Sequence, residues 1–143
     1  FFQRYLAVGA EKGIPILVIG GHLQYLAEDT PIPAGIARQM GRTAWEAGLP
    51  VIDDVHTTSY NWKREEKVDK FIEVIRGMRP GILEIIIHAT EPTEEFDKIS
   101  GSGETRLGDM EAMLDPRLKA AIEEEGIILT TWRELMERRR QAE

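Results

Sequence analysis

The sequence predicts an α/β protein in which parallel strands alternate with helices. Four short apolar runs recur along the chain: Ile14 to Ile19, Pro50 to Ile52, Ile82 to Ile87 and Ile127 to Leu129. The first three begin at residues 14, 50 and 82, hence 36 and 32 residues apart, about the size of a βα unit. They do not alternate apolar with polar residues, and near-continuous apolar runs are typical of parallel strands covered on both faces. Segments with helical period separate the runs, and such alternation implies a parallel sheet with right-handed crossovers.

Taken in order, Phe1 to Ala10 read as a helix, with Phe2, Leu6 and Ala10 spaced for one face. Because the chain opens with Phe1 inside that pattern, it is expected to be cut at its front. From Pro33 to Ala47 the positions Ile36, Ala37, Met40 and Ala44 share a face, and Gly48 supplies a left-handed cap before Pro50. From Lys63 to Met78 the set Val68, Phe71, Ile72, Ile75 and Met78 has helical spacing, and the turn Arg79-Pro80-Gly81 ends it. Asp115 and Pro116 are an N-cap and first helical residue, leading through Leu118, Ala121 and Ile122 to a stop at Gly126. Thr131 with Glu134 three residues later makes a capping box for a charged last helix. The stretch from Ala89 to Gly108 breaks the alternation as a 20-residue irregular loop, long enough to be functional or mobile.

Composition narrows the function. With 42% hydrophobic and 30% charged residues over 143 positions, the chain is expected to fold as one domain with a real core. A net charge of −7 offers no basic stripe for phosphate backbones, so neither nucleic acid nor an anionic membrane is an expected partner. There is no cysteine, which excludes disulfides and thiolate zinc sites and fits a cytoplasmic setting. No apolar run has the length of a membrane span and no signal peptide opens the chain.

The three histidines, His22, His56 and His88, each fall at or just beyond the C-terminal end of a different predicted strand. Active sites of parallel α/β folds form at that end. Asp53 and Asp54 belong to the same layer, so imidazole and carboxylate groups suited to proton transfer or metal binding converge there. Each histidine alone is more often a loop residue than a catalyst. His88, ending the run Ile85-Ile86-Ile87, is the sharpest candidate and His56 the weakest. Glu84 inside that strand needs a partner if buried, and Arg106 either supplies it or faces the site. Gly101-Ser102-Gly103 lacks the lysine of a phosphate loop and reads as a hinge. Trp45 and Trp132 read as packing residues, whereas Tyr60 and Trp62 follow the second strand, where a sugar platform is credible.

Several of these residues carry a resemblance. The stretch Pro80-Gly81-Ile82-Leu83-Glu84-Ile85-Ile86-Ile87-His88 resembles the late strand of YdjC-like carbohydrate deacetylases. Arg106 with Asp109 to Glu111, Leu114-Asp115-Pro116 and Glu125 to Thr130 resemble that family's closing segment, and Gly9 to Pro15 its helix-to-strand junction. Gly20-Gly21-His22 is similar to a loop in one branch of the family. The resemblance implies the C-terminal portion of a distorted (β/α) barrel that removes acetyl groups from N-acetylated sugars with a divalent metal, zinc or magnesium. It also implies that His88 is the general acid or oxyanion stabiliser and Asp53 an acidic position in the substrate cleft. The metal ligands and catalytic base would precede Phe1, so this chain is expected to hold no metal and to be inactive alone. The family's usual Pro-Gly after the histidine is Ala89-Thr90 here, a departure in the loop that shapes the substrate site.

The leading expectation is therefore a deacetylase segment with His88 catalytic and with His22, Asp53, Arg106 and Trp62 contacting substrate. The competing one is a non-catalytic scaffold or carbohydrate-binding piece, and a third has His22, His56 and His88 binding a metal of their own. Four strands cannot close a barrel, so apolar surface at Phe1, Phe2 and the strand flanks should lie exposed and either drive homo-oligomer formation or leave the chain only marginally stable.

Overall fold

The computed structural model describes residues 1–26, 32–91 and 93–142. Helix α1 (Phe2–Lys12) is followed by an extended segment, then by α2 (Ala34–Glu46) and strand β1 (Asp54–His56). Two 3-10 turns, Thr58–Asn61 and Arg64–Glu66, lead into α3 (Lys67–Gly77) and strand β2 (Leu83–Ile85). The remainder is helical: α4 (Glu94–Asp97), α5 (Gly103–Leu114), α6 (Pro116–Glu124) and α7 (Trp132–Gln141).

Three helices end in the same way, for one steric reason. Gly13, Gly48 and Gly126 have φ of 62°, 79° and 64°, the left-handed region that costs a side chain free energy. The amide after each glycine turns back onto the helix: Ile14 N–H donates to Gly9 O, Leu49 to Ala44 O and Ile127 to Ile122 O, all at 2.9 to 3.0 Å. Each helix is thereby stopped and an apolar extended segment launched. At the opposite ends, Asp115 accepts the Arg117 amide with Pro116 in the first helical position, and Thr131 and Glu134 form the reciprocal capping box.

The parallel pairing is present but shorter than the apolar runs predict. Ile52 N–H donates to Val18 O and Gly20 N–H to Ile52 O, so the first run meets the second in a parallel bridge, Ile19 with Ile52. The regular strand of the second run lies downstream of Pro50–Ile52, at Asp54–His56, and all three of its residues are buried. Its polar residues hid it from an apolar pattern. β2 pairs with β1 in parallel register, through Asp54 N–H to Ile82 O and Ile86 N–H to His56 O. Ile127–Leu129 forms no ladder among the described residues; Ile128 and Leu129 are 81% and 75% exposed, so no sheet neighbour holds them. The Ala89–Gly108 stretch is half helical rather than wholly irregular, with α4 and the start of α5 inside it and Pro92 outside the described residues. The buried face of α5 consists of Gly103, Gly108, Asp109 and Ala112, which offers no apolar stripe to read.

The chain divides into two compact units. One comprises residues 1–55, 80–84 and 129–143, the other residues 56–79 and 85–128. The first has a core of Leu6, Ile16, Val18, Ala44, Leu49 and Met136, with Phe2 packed against it rather than exposed. Phe1 is fully exposed. The second is built on Phe71, Ile75, Ala112 and Leu118, flanked by Trp62 and Ile85. No described helix is long and apolar enough to cross a membrane.

Candidate functional site

In the second unit, the chain leaves β2 and reaches His88 three residues later. The His88 amide donates to Asp109 Oδ2 at 2.8 Å, and Asp109 Oδ1 accepts from Lys67 Nζ at 2.5 Å. Lys67 Nζ also donates to Ser59 O at 2.7 Å, and Ser59 Oγ donates to Ile86 O at 2.8 Å. Neither side chain of the ion pair has any exposed surface. Such a pair is tolerated only where hydrogen bonds replace lost hydration, and each charge here has two. Space for it comes from Gly108: a Cβ there would stand 2.9 Å from Lys67 Cδ and 3.0 Å from Arg64 Cα. Arg64 in turn chelates Glu111 on α5, through Nε at 2.7 Å and Nη2 at 2.5 Å. Lys67 escaped the sequence reading, although its position four residues before Phe71, on the apolar stripe of α3, was the available signal.

The His88 imidazole meets the Tyr60 ring edge-on, centroids 5.3 Å apart, and its buried Nδ1 has no partner among the described residues. Arg106 lies on the other side of that tyrosine. Its guanidinium is 5.9 Å from the Tyr60 centroid and 5.7 Å from that of Phe96, and Nε donates to Ser102 Oγ at 2.9 Å. His88, Tyr60 and Arg106 thus form one cluster. Ser102, read in sequence as part of a hinge, immediately precedes α5 and its hydroxyl also bonds Ser100 Oγ. Trp62 and His56 belong elsewhere: Trp62 packs on Phe71 at 5.1 Å and on His56 at 5.0 Å, and His56 is 4% exposed.

In the first unit, Asp54 is wholly buried and accepts backbone amides of Tyr25, Leu26 and Val55 at 2.7, 3.1 and 2.8 Å. Those bonds commit the carboxylate to holding the turn after Leu23 in place. His22 Nδ1 is 3.7 Å from Asp54 Oδ2, beyond hydrogen-bond range, and instead accepts the Gln24 amide at 3.4 Å. Asp53 Oδ2 accepts the Ile82 amide at 2.8 Å, and a Cβ on Gly81 would stand 2.6 Å from it. A Cβ on Gly21 would collide with the Asp53 backbone.

Glu84 takes a hydrogen bond from the Trp132 side chain, so the partner it needs is an indole rather than Arg106, and its buried Oε2 has no partner among the described residues. Burial pushes its carboxyl up, with the Trp132 bond opposing. Folding therefore retains a proton that the unfolded chain would release. Its stabilising contribution is full below the ordinary carboxylate range and is lost as pH rises through the raised folded value. Glu84→Gln is expected to raise the melting temperature at about pH 7 and change it little at about pH 4. An unchanged or lower value at neutral pH would remove burial as the dominant influence.

No group of three or more His, Asp or Glu residues placed to hold a metal occurs among the described residues, which corrects the expectation of a three-imidazole site. What the geometry does define is an α/β protein with short parallel pairing, in whose second unit the segment after β2 sets His88 beside Tyr60, with Arg106 of α5 on the other side of that ring. The family model described as YdjC-like protein matches residues 1–124, and the chain belongs to the YdjC-like family. That membership makes it a carbohydrate-related hydrolase of the deacetylase type. No curated protein matches the chain.

Proposed function

We propose that the protein removes acetyl groups from N-acetylated sugars, and that this chain forms part of a distorted (β/α) barrel. The observation that carries the reading is the family match, which includes the β2-to-His88 segment. Hydrolysis of an acetamide needs a proton delivered to the departing amine, and an imidazole at a strand end is suited to it. His88 has that position, and its Nδ1 bonds no described residue. Arg106, held by Ser102 and two aromatic faces, presents a preorganised donor to the sugar.

The reading includes a divalent metal, zinc or magnesium, for this chemistry. The described residues do not fit such an ion by themselves, so the steps above belong to His88 and Arg106 alone. The test is acetate release by the natural protein from a panel of N-acetylated sugars with added zinc or magnesium. No release from any member would leave a carbohydrate-binding or scaffold role. Arg106→Ala is expected to raise KM by about tenfold with a small change in melting temperature, as for loss of one charged hydrogen bond to substrate. A large fall in stability with unchanged KM would make Arg106 a clamp for Tyr60 and Phe96 instead.

A further inference from the structure

We propose that Asp109 is the positioning residue for His88, acting through a side-chain oxygen that accepts the His88 backbone amide. The proposal rests on the deacetylase reading for its catalytic consequence only.

β2 ends at Ile85, and the Ile86 amide makes the last bond to the neighbouring strand, at His56 O. Two residues further on, the His88 amide has no strand to bond to. A histidine past the last ladder bond would ordinarily share the mobility of a loop. Here a carboxylate from α5 replaces the missing neighbour: Asp109 Oδ2 accepts the His88 amide, 21 residues away in sequence. The other end of the same segment is fixed by Ser59 Oγ, which donates to Ile86 O, and Ser59 is itself tied to Lys67 through its carbonyl. The residues on both sides of Ile87 are therefore pinned to one buried ion pair. The imidazole's neighbour is tied to the same helix, since Thr105 Oγ1 donates to Tyr60 O at 2.9 Å.

A surface carboxylate could not aim a backbone amide so firmly, because water would compete for both groups and the side chain would sample several rotamers. Asp109 is fully buried, its first oxygen is taken by Lys67, and its second faces the amide. A general acid misplaced by about 1 Å loses on the order of a hundredfold in rate, so this geometry is read out in kcat.

Two double variants of the natural protein separate positioning from charge. Both remove the ion pair. Lys67→Met with Asp109→Asn keeps a side-chain oxygen able to accept the His88 amide, whereas Lys67→Met with Asp109→Leu keeps none. The proposal expects the leucine variant to exchange the His88 amide hydrogen at least about tenfold faster than wild type. Its kcat should fall by about a hundredfold with KM changed less than about twofold. The asparagine variant should remain within about tenfold of wild type in both measurements. Equal losses in the two variants, or no loss in either, would overturn the proposal. Should the leucine variant fail to fold, the asparagine variant alone decides: exchange of its His88 amide more than about tenfold faster than wild type would refute the oxygen's role. Amide exchange is read without substrate. Failure of acetate release in the wild type would thus count against the deacetylase reading and leave this test intact.

Discussion

Lys67→Met is expected to lower the free energy of unfolding by about 3–5 kcal/mol, a large share of the roughly 5–15 kcal/mol that holds a typical domain together. The loss does not come from the lysine's packing, since methionine fills nearly the same path beside Gly108. It comes from Asp109, which stays buried with one oxygen on the His88 amide and the other facing nothing. An unpaired buried carboxylate forfeits its hydration without compensation. The urea midpoint should drop while the slope of the transition stays constant, as for a change in stability alone. Adding Asp109→Leu to Lys67→Met should recover most of the loss, because replacing both charges is far less costly than stranding one. A single-variant loss below about 1 kcal/mol would show that the pair is not held dry in solution.

His88→Ala is expected to lower the turnover number for acetate release by about a hundredfold or more, about 2.7 kcal/mol in activation free energy. The imidazole is half-buried against one tyrosine edge and its Nδ1 bonds no described residue, so its removal should shift the melting temperature little. Metal content should also stay unchanged, as for a group that moves a proton. A fall in kcat with KM near constant would mark an interaction made in the transition state. Near-normal turnover would remove His88 from the chemistry, and a large loss of stability would make it a packing residue.

Much of this arrangement is written in short-range chemistry. Gly48 and Gly126, the Asp115-Pro116 pair and the Thr131-Glu134 box were legible because each needs only its own few neighbours. The apolar runs located the parallel segments for the same reason. β1 was misplaced because Asp54 and His56 are buried strand residues, with Asp54 satisfied by amides 28 and 29 residues away. The first half of helix α5, up to Gly108, reads as loop because what the helix buries is two glycines, an aspartate and an alanine. Within the candidate site His88 could be found from the strand that ends at it. Lys67 and Asp109 could not be paired, since 42 residues separate them and only the fold brings them together. Arg106 was singled out, but its setting between Tyr60 and Phe96 depends on a helix that the sequence hid.

The three tryptophans divide between the two compact units: Trp45 and Trp132 in the first, Trp62 alone in the second. Each unit therefore carries its own fluorophore. Trp45 lies beneath the Arg139 guanidinium at 4.1 Å, while Trp62 is enclosed by His56, Phe71 and Lys70, so their emission reports unlike surroundings. Replacing Trp45 and Trp132 with phenylalanine would leave a chain whose tryptophan emission follows the second unit alone, and Trp62→Phe would do the converse. Denaturation curves of the two chains then measure whether the units melt as one cooperative body, since coincident transitions mean two-state unfolding and separated ones an intermediate. The chain thus carries built-in optical probes of its own cooperativity, with no label attached.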